Sequence, residues 1–200
     1  LTVSTQKQEG KKDSVFLDRW KLAVLKDGQL GHLTQPLEIR LYLNEVEELL
    51  RPEVYQLMEH FLDESGAGKD KILGIGISFP GIIDLERGMI ADSHILGVES
   101  VPFDSISRFF SYPCHFLNDA NAGAYAEGIQ SEDRNRFFYL SLSNTVGGAV
   151  YSNGRLEQGR NFRCGEVGHM TVVPDGKVCY CGKHGCLDAY CSAKCLTEGR

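Results

Sequence analysis

Apolar positions along this chain fall into short alternating runs bounded by turn residues, with one longer stretch at helical spacing. Ser14 to Leu25, SVFLDRWKLAVL, alternates as a strand or a bent pair of strands does. Asp27-Gly28 then supplies a hairpin turn into QLGHL. Asn44 with Glu47 three residues on makes a capping-box pattern that opens an amphipathic helix. Val46, Leu49, Leu50, Val54, Leu57, Met58, Phe61 and Leu62 carry its apolar face, Pro52 should kink or restart it, and Gly66 and Gly68 end it. Ile72 to Ser78 reads as a buried strand running into the turn Pro80-Gly81. Strand, helix and strand in this rhythm predict an α/β layer.

A second unit is expected to begin near Pro113. CHFLND reads as a short strand and DANAGAYAEG as a helix whose N-terminus lies at Asn118 and Asp119. FFYLSLS and GAVYS are two further strands, and Asn153-Gly154 is a hairpin turn after the second. The expected organisation is therefore a polar leader or linker over residues 1–13, an α/β domain over 14–113, and the start of a second α/β domain over 114–200. No repeat and no low-complexity segment interrupts it.

Composition narrows the function classes. The chain has 200 residues, 42% hydrophobic and 24% charged, as an ordinary globular protein does. No apolar run approaches the roughly 18 residues of a membrane span, which excludes a membrane partner, and no signal peptide opens the chain. A net charge of −6 argues against this segment as a nucleic-acid binder, since phosphate contact needs a basic face. Five of the seven cysteines (Cys179, Cys181, Cys186, Cys191 and Cys195) fall close together, which suits a metal in a reducing compartment better than a spread disulfide framework. The expected location is cytoplasmic. The chain begins at Leu1 and not at Met, so residues upstream are expected.

The strongest chemical signal is GHMTVVPDGKVCYCGKHGC, which offers His169, Cys179, Cys181 and Cys186 as ligands of one zinc ion. Cys3His is a common structural zinc set, closed to further ligands, so zinc here should organise a loop without activating water. Gly182 and Gly185 permit the tight turn between Cys181 and Cys186. Buried or redox-active thiols with a hydrogen-bonded histidine are the bland alternative, and a zinc knuckle for nucleic acid is another, opposed by Glu166, Asp175 and Asp188 nearby. Cys191 and Cys195, spaced i and i+4, should pack against the core; Cys114 and Cys164 carry no readable signal.

Asn118-Asp119 stands at the C-terminal end of a strand and the start of a helix. Open α/β proteins place ligand-contacting groups there, and an ordinary helix cap would sit there as well. Glu166, three residues before His169, is either a surface charge or a group drawn to a ligand by the same loop.

Together these segments resemble the ROK family (repressor, open reading frame, kinase). GIGISFPGIID is similar to its strand and Pro-Gly loop, LNDANAGAYAEG to its Asn-Asp sugar-binding segment, GEVGHM to its Glu-x-Gly-His motif, and CYCGKHGCLDAYCSA to its zinc signature. The resemblance is close over roughly residues 70–195 and loose over 15–30. It implies an actin-like, ribonuclease H-like ATPase (sugar kinase) fold of two α/β domains with a zinc-binding loop, the second domain incomplete in this chain. It implies that Asn118 and Asp119 bind sugar hydroxyls, with Asp119 the general base if the protein is a kinase. It also implies that Glu166 and His169 contact the ring, His169 giving one nitrogen to zinc and the other to a hydroxyl, and that Gly81, His94 and Asp188 lie at the sugar.

Three positions depart from the family pattern. Kinases of the family open with Asp-x-Gly-Gly-Thr, where this chain has Leu17-Asp18-Arg19-Trp20-Lys21. Their second phosphate loop, Gly-Thr-Gly, reads Ser143-Asn144-Thr145 before Val146-Gly147-Gly148. Asp188 stands where a glutamate is usual. The sugar side is nearly intact and the nucleotide side altered twice, which is closest to the NagC-like repressor branch. The expected function is a sugar-sensing domain that binds a sugar or sugar phosphate without turnover. Its DNA contact would come through a segment not present here, and its assembly would be a homodimer or higher homo-oligomer. The alternatives are an ATP-Mg-dependent sugar kinase, of glucokinase or N-acetylhexosamine kinase type, and a zinc-stabilised interaction domain with a vestigial pocket.

Overall fold

The computed structural model describes residues 2–7, 15–21, 23–26, 29–33, 37–42, 60, 63, 74–95, 98–108, 110–130 and 136–197. It divides into two compact units, Leu1–Leu117 and Asn118–Arg200.

The first unit is built on a mixed five-stranded sheet. Its strands are β1 (Thr2–Lys7), β2 (Val15–Lys21), β5 (Leu37–Tyr42), β6 (Ile75–Phe79) and β10 (Cys114–Asn118), in the order β10-β6-β1-β2-β5. Strand β2 runs antiparallel to both β1 and β5, and β1 runs parallel to β6. Residues 1–13, expected as a leader, thus contain a strand that lies at the centre of the sheet. The bent pair expected from SVFLDRWKLAVL is β2 followed by β3 (Ala23–Lys26), and β3 pairs in a hairpin with β4 (Gln29–Leu33), Lys26 opposite Gln29. The expected helix from Asn44 lies outside the described residues except for His60 and Asp63, which are helical.

A second, three-stranded sheet of β7 (Ile82–Asp84), β8 (Met89–Ser93) and β9 (Val98–Pro102) is entirely antiparallel and leads into a short helix, α1 (Asp104–Ser107). The buried side chains Ile77, Phe79, Ile83, Ile90, Val101, Ile106 and Phe116 form the apolar interior of this unit. Phe103 and Phe116 stack with ring centroids 4.2 Å apart. CHFLND, expected to open the second unit, supplies the edge strand β10 of the first, and the division falls after Leu117.

The second unit opens with α2 (Asp119–Gln130), which packs on a three-stranded antiparallel sheet of β11 (Arg136–Leu142), β12 (Val146–Ser152) and β13 (Arg155–Glu157). Small residues on α2 permit a close approach: Ala120 and Ala124 are buried, and a Cβ added at Gly128 would lie 2.5 Å from Cζ of Tyr151. Tyr151 itself is buried and stacks on Phe137 at 5.1 Å. The turn from β12 to β13 is Asn153-Gly154, both at positive φ (52° and 80°), as a two-residue hairpin with right-handed strand twist requires. A 3-10 turn (Val167–His169), then α3 (Asp188–Cys191) and α4 (Ala193–Thr197), complete the described chain. Among the described residues no helix is long and apolar enough to cross a membrane.

Candidate functional site

The second unit gathers most of the residues singled out from the sequence. At the head of α2, Asn118 caps the helix: its Oδ1 accepts the Asn121 N–H at 3.1 Å. Asp119, one residue on, accepts the Ala120 N–H at 2.9 Å. The two readings of this dipeptide therefore separate, with the cap on Asn118 and the carboxylate on Asp119. Burial raises the Asp119 pKa above the ordinary carboxylate value, while backbone N–H groups and the Asn118 side chain pull it back. The residue still keeps an exposed surface, so solvent screens the carboxylate and no stability follows from the shift.

Glu166, exposed, precedes the 3-10 turn that carries His169, and its carbonyl accepts the His169 N–H at 3.3 Å. The metal-ligand set comes together. One donor atom from each of His169, Cys179, Cys181 and Cys186 lies within 4.8 Å of every other. Cys179 Sγ is 3.7 Å from His169 Nδ1, and Cys181 Sγ is 3.8 Å from Cys186 Sγ. Zinc–sulfur bonds of about 2.3 Å at tetrahedral angles put sulfurs about 3.8 Å apart, which the Cys181–Cys186 separation matches. The His/Cys cluster is thus a place where a metal can be held.

Local backbone chemistry builds it. Gly182 N–H bonds to the Cys179 carbonyl at 2.9 Å, Cys179 N–H to the Lys183 carbonyl at 2.8 Å, and Gly185 N–H to the Lys177 carbonyl at 2.8 Å. Gly185 has φ +77°, and a Cβ there would collide with the Val173 carbonyl, so glycine is demanded twice over. Cys179 and Cys186 are 3% and 0% exposed and pack with Ala189 and Tyr190. Lys183 ties the loop to its histidine, Nζ donating to the His169 carbonyl at 2.8 Å.

Without a cation the thiols titrate apart. Burial, with Cys181 and Cys186 adding to it, pushes Cys179 up to about 12. Burial opposes ionisation of Cys181 too, but the Lys183 N–H and hydrogen bonds from Cys179 and Cys186 outweigh it, and its pKa is lowered. Three clustered sulfurs cannot all become thiolates unaided; a divalent cation removes that obstacle.

Asp188 is placed in a way the sequence did not indicate. It is 5% exposed, and its Oδ1 accepts the Val146 N–H at 2.5 Å, across 42 residues. Burial raises its pKa, and the Val146 bond and the nearby His169 lower it. The loop it holds, Ser143-Asn144-Thr145, is further closed by Ser143 N–H to the Thr145 carbonyl (3.1 Å) and by Ala193 N–H to the Ser143 carbonyl (2.8 Å). Tyr180 is a second unforeseen neighbour: its hydroxyl lies 3.1 Å from His169 Nε2. An aromatic between two cysteines gave no reason to expect that contact. Cys191 and Cys195 do not share one helix, because Ser192 is extended (ψ 154°) and separates α3 from α4; both are partly buried. Gly81 and His94 belong to the first unit. Gly81, at φ +128°, lies against the Asp92 backbone, and His94 Nε2 is 3.4 Å from Asp92 Oδ2.

A two-unit α/β chain with this ordered set of motifs defines a class, and comparison with known proteins identifies it. The model of the ROK family matches residues 37–199, and the chain belongs to that family. Its fold is the actin-like one of ROK sugar kinases and regulators. A xylose repressor of Bacillus subtilis is 30% identical over 153 residues, 76% of this chain and 40% of that protein. A glucokinase of Halalkalibacterium halodurans is 29% identical over 199 residues, 91% of this chain and 60% of that protein. The crystal structure of a ROK family transcriptional regulator, homologous to the E. coli Mlc protein, superposes with a TM-score of 0.68 at 24% identity, covering 98% of this chain and 48% of that one. The chain therefore spans about 40–60% of the length of these relatives. Repressors and kinases both stand among them.

Proposed function

We propose that this chain is the sugar-sensing part of a ROK-type transcriptional regulator, which binds a sugar or sugar phosphate without phosphorylating it. Zinc held by His169, Cys179, Cys181 and Cys186 acts as a structural ion that fixes the recognition loop. In this reading Asn118, Asp119, Glu166, His169 and Asp188 of the second unit serve the sugar. DNA contact falls to another segment of a longer protein, which acts in the cytoplasm as a homo-oligomer.

One observation carries the choice of regulator over kinase. Leu17 to Trp20, the match to the kinases' glycine-rich phosphate turn, runs between two strands with partners on both sides: Leu17 opposite Gln6 and Arg40, Arg19 opposite Ser4 and Glu38, Trp20 opposite Val3 and Leu37. In a strand flanked on both edges the backbone N–H groups are spent on the ladders, and none remains to cradle a phosphate. The second loop supports the same reading, since the Val146 N–H is taken by a carboxylate, a group that repels phosphate.

The kinase reading draws on Asp119, which the family resemblance makes the general base, and on the similarity to a glucokinase over most of the chain. A coupled ADP-release assay over pentoses, hexoses and N-acetylhexosamines decides between them. Background rates are expected; turnover above about one per second, ordinary for kinases, replaces the regulator with the kinase. In calorimetry on the same panel, Asp119→Ala and Glu166→Ala should each weaken sugar binding by about 1–3 kcal/mol, five- to over a hundredfold. Absence of any sugar binding at millimolar concentration makes the chain an interaction domain with a vestigial site.

A further inference from the structure

We propose that Asp188 is a positioning residue for the head of α2, and that it carries the order of the His/Cys loop to Asp119 through the β12 segment Val146-Gly147-Gly148. Asp188 comes two positions after Cys186, a member of the cluster that could hold a metal. The loop is fixed there by the Leu187 N–H, donated to the Met170 carbonyl at 2.9 Å. From that anchor the buried Asp188 carboxylate takes the Val146 N–H at 2.5 Å. Val146 is met at its carbonyl as well, since a Cβ added at Gly168, the residue before His169, would fall on that oxygen. The Ala193 N–H, donated to the Ser143 carbonyl at 2.8 Å, holds the other end of the same turn.

The next residue of the strand meets helix α2. A Cβ added at Gly147 would stand 3.2 Å from the Ala120 Cβ, and Ala120 is buried. Ala120 follows Asp119 and donates its N–H to the Asp119 carboxylate at 2.9 Å. Gly148 in turn meets the residue before Glu166, because a Cβ added there would lie 2.8 Å from the Gly165 carbonyl oxygen. The neighbours of Asp119, Glu166 and His169 are thus all seated on one short strip of β12. Asp188 holds that strip by a hydrogen bond from outside the sheet. Contacts this close leave no slack, so a shift of the strip is passed on to what rests on it. Removing the carboxylate leaves a buried N–H without its acceptor and releases the strip, whereas an asparagine still offers it an oxygen.

The test is amide hydrogen exchange, resolved by residue with NMR, on zinc-loaded wild type, Asp188→Ala and Asp188→Asn, with metal content measured in parallel. D188A is expected to keep about one zinc per chain and to exchange about tenfold faster at Ala120 and Asn121, as well as at Val146. Amides of the β12–β13 ladder should keep their wild-type rates, and D188N should recover most of the protection. Faster exchange confined to Val146 overturns the inference, because Asp188 then serves a local bond alone. An equal rise throughout the unit overturns it too, as general destabilisation, and so does a D188N that recovers nothing. If D188A sheds its metal or fails to fold, stepwise chelation of the wild type decides. Removing zinc should raise exchange at Ala120 and Asn121 about tenfold more than in the β12–β13 ladder, and a uniform rise overturns the proposal.

Discussion

Residues 17–20 and residues 166–188 use their backbone in opposite ways. The first segment is a strand with neighbours on both edges, its N–H and C=O groups committed to the sheet. The second is a loop in which turns and two isolated bridges, Thr171 opposite Cys186 and Val178 opposite His184, absorb the backbone and bring together four side chains that could hold a metal. A phosphate-binding turn and a metal loop both need glycine, for close approach or positive φ. The His/Cys loop holds glycine at Gly182 and Gly185, and the strand holds Arg19 and Trp20 where the family resemblance sets the kinases' glycines.

The largest effect that would break this comparison concerns the metal. Chelation, or Cys181→Ser, should remove about one zinc per chain and lower the melting temperature by more than about 10 °C, since binding free energy of a structural zinc is folding free energy. The metal has to displace protons from thiols such as Cys179, which burial pushes up to about 12. Zinc affinity should therefore fall as pH falls, by about tenfold per pH unit for each proton displaced, measured by competition with a chromophoric chelator. Purified protein that is metal-free, with unchanged melting, would show the loop to be self-supporting.

A smaller effect sharpens the link between the metal loop and the altered phosphate loop. Asp188→Ala strips the Val146 N–H of its buried acceptor and should cost about 1–3 kcal/mol in denaturant unfolding. Asp188→Asn keeps an oxygen in place and should lose less than half of that. Equal losses in the two variants would mean that charge, not the hydrogen bond, holds the loop. The smallest effect is at the helix cap: Asn118→Ala should destabilise by about 1 kcal/mol through the lost bond to Asn121, whereas Asp119→Ala should spare stability and act on the ligand.

Local rules carried the sequence reading wherever partners are near in the chain. The metal set was legible because three of its ligands fall within eight residues around glycine turns, and their sulfurs do meet His169. The Asn153-Gly154 hairpin, the strands β11 and β12 and helix α2 were legible from turn chemistry and periodicity. Strand β1 was not. Thr2–Lys7 is polar, and a polar run becomes a strand only when a sheet presents an edge to it. Cys191 and Cys195 misled for a related reason: i, i+4 spacing says nothing of a break at Ser192.

The sequence by itself determined the ROK membership, the His/Cys set that could hold a metal and the helix that displays Asp119, because each rests on residue types at fixed short spacings. Only the tertiary structure decided that Asp188 turns to Val146, that Tyr180 takes the second nitrogen of His169, and that Leu17 to Trp20 lie between two strands. The first of these joins groups 42 residues apart, and the strand pairing joins segments linked by chain of no fixed spacing. Tyr180 and His169 are separated by a loop whose path is set by the turns around Gly182 and Gly185. A hydrogen-bonding group takes the partner that folding brings within about 3 Å, and which group arrives there is settled by the path of the whole chain.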